Sequence, residues 1–168
     1  RATWDRLLRG QSGVGPITLF DASNFPVRIA AEVRNWSMQR VGEAPARWSR
    51  HARQTQFAVA AALQASRAAG LPDGAIDPLR VGVFLGCGEI FPDFGQFCQL
   101  TVAASRDKSL DWARFVGDSR RVAQADDELV LEPGAAAACI AAILDAQGPN
   151  ANFTAACVSS SKAIGESL

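Results

Sequence analysis

Cys157 stands in "NFTAACVSSSKAIG", residues 152–165, between a short run that reads as a strand and a small-residue stretch that reads as a helix start. Three chemistries are open to it: a buried small hydrophobe, a redox thiol or a nucleophile. Unpaired amide N–H groups at a helix start concentrate partial positive charge and favour an anionic group beside them. The same amides can hold the oxyanion that develops when a carbonyl is attacked. Ala155, Ala156 and Ser159 to Ser161 are small enough to leave room for a substrate. A strand–nucleophile–helix turn is how other acyl-transfer folds present a nucleophile at the top of a sheet. Against this stands the ordinary behaviour of free cysteines, which mostly pack in cores.

The remaining cysteines carry weaker signals. Cys139, inside "AAAACIAAI", reads as core packing, and Cys87 and Cys98 have no partner motif. The four cysteines form no CxxC pair and do not cluster with the single histidine, His51. No metal site is expected, and reduced thiols in a cytoplasmic protein are the default. His51 lies in the basic stretch "ARWSRHARQ" and reads as a solvated or helix-capping side chain.

Elements must position that thiol. A chain of 168 residues, 48% hydrophobic and 20% charged, suits one folded domain with its own core. Seventeen basic and seventeen acidic side chains cancel, so no global field recruits nucleic acid or a membrane surface. The longest apolar runs, such as residues 57–63, fall short of a membrane span. Among the cations 15 are Arg and 2 are Lys, a skew read as codon bias rather than function.

The pattern predicts a helix over residues 3–9 ending at Gly10, then a Gly- and Pro-punctuated segment with an extended piece near 27–33. Residues 42–48 read as a loop. A long helix is expected from Ser49 to Ala69, closed by Gly70, with an "FAVAAAL" centre apolar on every side. "RVGVFLGCG", residues 80–88, reads as a buried strand with a close-packed exit. Two helices are expected near 94–104 and 110–116, and a buried Ala-rich helix in "PGAAAACIAAILDAQGPN" with a Gly-Pro stop. The strand "ANFTAA", Cys157 and a final helix follow. Alternating buried strands and Ala-rich helices predict an α/β layer protein.

"GPNANFTAACVSSSKAIGESL" resembles the nucleophile region of the β-ketoacyl-acyl-carrier-protein synthases, the condensing enzymes of fatty acid and polyketide synthesis. "LLRGQSGVGPITLFDASNFPVRIAAEV", "RQTQFAVAAALQASRAAGL", "RVGVFLGCG" and "EPGAAAACIAAILDAQGPN" resemble the same family in the same order. The resemblance implies a thiolase-like layered α-β-α-β-α fold, with residues 1–168 as the N-terminal ketosynthase part, lacking the first strand and the C-terminal half. It implies Cys157 as the catalytic nucleophile, with its own amide in the oxyanion hole. Two catalytic histidines and a lysine would lie beyond residue 168, and His51 matches neither histidine.

The implied reaction is a decarboxylative condensation of an acyl thioester, held on Cys157, with malonyl-acyl carrier protein. No cofactor or metal is expected, because the phosphopantetheine belongs to the acyl carrier protein. A homodimer is also implied. Arg47, Arg50 and Arg53 recur at intervals of three, so a helix would stack them along one exposed side. The resemblance makes that row a docking surface for the acidic carrier; a solvated helix end with no partner is the other reading.

Two departures are visible. The family's Thr-Ala-Cys is replaced by Ala155-Ala156-Cys157, and Glu89-Ile90-Phe91-Pro92 follow Gly86-Cys87-Gly88 where relatives are glycine-rich. Lys162 is given no chemistry. A noncatalytic or priming homologue, acting as a partner subunit, keeps the fold and drops the elongation. A structural protein with an inert thiol is the rival from another class.

Overall fold

The computed structural model describes residues 2–71, 76–88, 94–123 and 129–168. The changes in glycine sequence at 89–92 lie outside the described residues. The chain divides into two compact units, Arg1–Ser37 and Met38–Leu168.

The first unit carries helix α1 (Ala2–Leu8) and an antiparallel pair, β1 (Val14–Pro16) with β2 (Ile29–Ala31). Glu32 ties the hairpin's loop: its carboxylate accepts from the Thr18 hydroxyl at 2.7 Å, the Thr18 amide at 2.9 Å and the Leu19 amide at 3.2 Å. Those hydrogen bonds from Thr18 hold the Glu32 carboxyl below its ordinary pKa. The first strand of this pair, "VGP", was hidden by its own Gly and Pro.

The second unit opens on two 3-10 turns, Met38–Val41 and Pro45–Trp48, the second of them within residues 42–48, where the sequence reads as a loop. They bury Met38, Val41 and Trp48 almost completely. Trp48 is 2% exposed, donates from Nε1 to Glu43 Oε2 at 3.0 Å and packs its ring 4.9 Å from His51. Trp48→Ala is therefore expected to cost about 3–5 kcal/mol, mostly as a cavity that its neighbours cannot refill. Urea denaturation of the two proteins measures it, and a loss under about 1 kcal/mol would contradict the packing.

Helix α2 runs from Arg53 to Ala68, four residues shorter at its start than expected. Gln56 explains the boundary: its side-chain amide donates to Trp48 O at 3.2 Å and His51 O at 3.0 Å, occupying carbonyls that a longer helix would use. At the other end Gly70 takes φ +70°, the left-handed conformation that stops a helix cheaply only in glycine. The buried positions Thr55, Val59, Ala60, Leu63 and Ser66 make one stripe. Ala61, in the middle of "FAVAAAL", is exposed, so the helix is one-sided rather than covered all round.

Strand β3 (Val83–Gly86) and strand β6 (Asn150–Phe153) pair in parallel, Val83 opposite Asn150 and Gly86 opposite Phe153. Between them come helix α3 (Phe94–Ala104), the short hairpin β4 (Ser105–Arg106) with β5 (Ser109–Leu110), helix α4 (Trp112–Val122) and helix α5 (Ala135–Leu144). Asp111 caps α4 by accepting from Arg114 N at 3.0 Å. Asp145, at φ +49°, ends α5 before the Gly-Pro pair is reached. Helix α6 (Ser159–Glu166) closes the chain.

The pleat assigns the faces. Asn150 Nδ2 donates to Ala137 O of α5 at 3.5 Å, whereas Lys162 of α6 lies 5.5 Å from the Phe153 ring. Successive side chains alternate across a strand, so α5 covers one face and α6 the other. Helix α2 packs against α5, and Gln54 of α2 meets Cys87 on that side at 3.6 Å. The unit is a helix–sheet–helix layering with Cys157 where β6 leaves the sheet.

Candidate active site

The site is built from two strand ends and one helix start. Cys87 N–H donates to Phe153 O at 3.2 Å, carrying the parallel ladder one residue past β3. The Thr154 hydroxyl then donates to Cys87 O at 2.9 Å, and Asn152 Nδ2 donates to the same hydroxyl at 3.3 Å. Together these fasten the exit of β6 to the exit of β3. Ala155, at the place where the resemblance implies a threonine, contributes backbone groups only, its N–H donating to Ser159 Oγ and its carbonyl accepting from Val158 N–H at 3.2 Å; the nearby hydroxyl is that of Thr154.

The chain reverses abruptly. Ala156 has φ +47°, in the left-handed region where an alanine costs about 1 kcal/mol. A 3-10 turn over Ala156–Val158 leads into α6. Ser159, 5% exposed, brackets the turn: its Oγ accepts from Ala155 N at 2.8 Å and donates to Ala156 O at 2.7 Å. Gly86 supplies the space. A Cβ there would lie 2.4 Å from Ser159 C and Ser160 N, so the helix start rests directly on the strand backbone. A strained residue held by a buried hydroxyl and a glycine contact is the kind of turn that functional sites retain.

Cys157 is exposed on this turn, while Cys87, Cys98 and Cys139 are half-buried. Burial pushes the Cys139 thiol above its ordinary pKa, with the Arg47 charge opposing. Lys162 is paired with Glu166 at 3.0 Å. His51 differs from its solvated or capping reading: it is half-buried against Trp48, Nδ1 makes no hydrogen bond among the described residues, and the residue at the α2 N-cap is Ala52. Burial, then the Arg47 charge, lowers its pKa.

The three arginines are all exposed but do not stack on one helix. Arg47 lies in a 3-10 turn, Arg50 in the link and Arg53 at the first position of α2, because the helix starts four residues late. Arg47 bonds Glu43 at 3.3 Å and lies over the Trp48 ring, and Arg53 lies over Phe57. A cleft of mixed character, lined by Leu63, Arg67, Ile76, Val81, Ile143 and Asp145 among others, sits at the entry end of β3, the far end of the strands from Cys157. Among the described residues no helix is long and apolar enough to cross a membrane.

The sequence model for "Beta-ketoacyl synthase, N-terminal domain" matches residues 1–168. The chain belongs to the β-ketoacyl synthase family. It is 45% identical over 83 residues to the granaticin polyketide putative beta-ketoacyl synthase 1 of Streptomyces violaceoruber, covering 49% of this chain and 20% of that protein. With the 3-oxoacyl-[acyl-carrier-protein] synthase 2 of Coxiella burnetii it shares 44% over 89 residues, 51% of this chain and 20% of the relative. With the enzyme of the same name from Staphylococcus aureus it aligns over all of this chain at 28% identity and spans 38% of the relative. The fold matches that of the ishigamide ketosynthase/chain length factor at a TM-score of 0.63 and 21% identity, over 89% of this chain and 34% of that one. The β-ketoacyl synthase chain thus has the layered α/β fold of a ketosynthase and spans well under half the length of these relatives.

Gly86, Thr154 and Ser159 were missed as functional residues. The glycine-ended strand and the serine run "SSS" were visible signals, but the contacts that give them meaning cross from residue 86 to residue 159.

Proposed function

We propose that the protein containing this chain condenses an acyl group with a malonyl group in fatty acid or polyketide synthesis, using Cys157 as nucleophile. The observation that carries this is the exposed thiol on a strained turn between β6 and α6. The sulfur attacks the thioester carbonyl carbon of an acyl group borne on the phosphopantetheine of an acyl carrier protein. The new carbon–sulfur bond forms, the carbonyl electrons move to oxygen, and collapse of that intermediate expels the pantetheine thiolate. The backbone N–H of Cys157 holds the oxyanion.

A malonyl thioester then loses carbon dioxide. Its enolate carbon attacks the acyl-Cys157 carbonyl, the carbon–sulfur bond breaks, and a 3-oxoacyl thioester two carbons longer leaves. The histidines that the family implies for the enolate are not among residues 1–168, whose one histidine is His51. One observation favours a second reading, priming or acyl transfer without elongation: Ala155 removes the side-chain hydroxyl that the family places beside the nucleophile. Supplying the whole protein with acyl and malonyl carrier proteins separates the two. Condensation releases carbon dioxide with a 3-oxoacyl product; acyl transfer leaves an acyl-enzyme and no new carbon–carbon bond.

Arg47, Arg50 and Arg53 provide exposed positive charge for docking the acidic carrier. Reversing Arg47 and Arg50 to Glu is expected to weaken use of carrier-borne substrate on the order of tenfold through electrostatic repulsion at the rim of the contact. Free pantetheine thioesters are expected to react unchanged. Equal loss with both substrate forms, in a kcat/KM comparison, would remove the docking role.

A further inference from the structure

The hydrogen bonds around Ala156 assign a task to Ser159. Ala156 O accepts from Ser159 twice, from its Oγ at 2.7 Å and from its backbone N–H. That carbonyl is therefore aimed at the first residue of α6. In the planar trans peptide joining Ala156 to Cys157, C=O and N–H point in opposite directions. Fixing one aims the other, and the Cys157 N–H is turned away from the start of α6. Among the described residues the turn's other hydrogen bonds use the amides of Ala155, Val158 and Ser159, leaving the Cys157 amide outside the set.

We propose that Ser159 is a positioning residue that aims the Cys157 N–H at the substrate oxyanion by clamping the Ala156 carbonyl at both its hydroxyl and its amide. The inference rests on the acyl-transfer reading above. Ser159 touches no substrate. Its hydroxyl spans both sides of the one alanine in this turn whose φ is positive, accepting before it and donating after it. Removing the hydroxyl leaves Ala155 N–H without its buried acceptor and lets Ala156 relax toward negative φ, which rotates the peptide plane.

The test compares two reactions of the same thiol in the whole protein. Acylation by a thioester develops an oxyanion. Alkylation by iodoacetamide forms a sulfur–carbon bond and expels iodide at a saturated carbon, so it develops none. Ser159→Ala is expected to slow acylation of Cys157 by about tenfold to a hundredfold, in keeping with a misaimed oxyanion donor. Alkylation is expected to change by less than about threefold, because the thiol stays exposed.

Ala156→Gly in the Ser159→Ala background is expected to recover at least about threefold of the lost rate, since glycine holds positive φ without the clamp. Acylation of Ser159→Ala within twofold of the parent would overturn the inference. So would parallel loss of acylation and alkylation with a lowered Tm, which marks a folding role. Parent protein that is alkylated yet never acylated removes the acyl-transfer reading itself, and this one with it.

Discussion

Cys157→Ala in the whole protein is expected to abolish both the acyl-enzyme and the condensed product, a loss on the order of 10⁴-fold or more. The size follows from covalent catalysis, since without the sulfur the acyl group has no site at which to wait for the second substrate. Cys87 and Cys139 are not placed to substitute. Cys87 projects to the α2 side of the sheet, where Gln54 meets its sulfur at 3.6 Å, while α6 lies on the opposite face. Cys139 is half-buried in α5, where burial disfavours its thiolate. Cys139→Ala is accordingly expected to keep activity within about threefold. Product formation measured with both variants decides it, and a Cys157→Ala protein retaining a tenth of the parent rate would contradict the assignment.

Gly86→Ala is expected to give the next largest loss without touching a reactive group. The added Cβ would meet Ser159 C and Ser160 N at 2.4 Å and Ser160 Cα at 2.5 Å. All three are backbone atoms, so no side chain can rotate away; the helix start must move off the strand or the strand must bend. Overpacking of this kind costs about 1–3 kcal/mol. Displacing α6 by even about 1 Å also misplaces Cys157, which is worth on the order of 10²-fold in rate. Gly88→Ala is the control, since among the described residues nothing lies within 4 Å of its would-be Cβ. Equal Tm and kcat in the parent and Gly86→Ala proteins would show that the strand and helix are not in contact as described.

The same contact shows how far the sequence could be read. Helix α2's stop was legible because Gly70 is a local signal, and β3 and β6 were legible as apolar runs leading into the glycine-rich exit and the thiol. The start of α2 was not, because it depends on the Gln56 side chain reaching back to two carbonyls. With four residues moved out of the helix, the regular spacing of Arg47, Arg50 and Arg53 lost its structural meaning. Trp48 sits in what reads as a loop over residues 42–48, yet with Met38 and Val41 just before that loop it is among the largest nearly fully buried side chains of the described residues.

At the site, the position of Cys157 between strand and helix could be read from residue types. The strain at Ala156 could not, since alanine carries no preference for positive φ. The Ser159 hydroxyl and the space left by Gly86 accommodate that conformation.

The most direct measurement is peptide-mapped mass spectrometry of the whole protein after exposure to an acyl thioester. The account predicts one acyl group on the peptide carrying Cys157, and none in the Cys157→Ala protein. An unmodified Cys157, or an acyl group on another residue that survives the substitution, would contradict it.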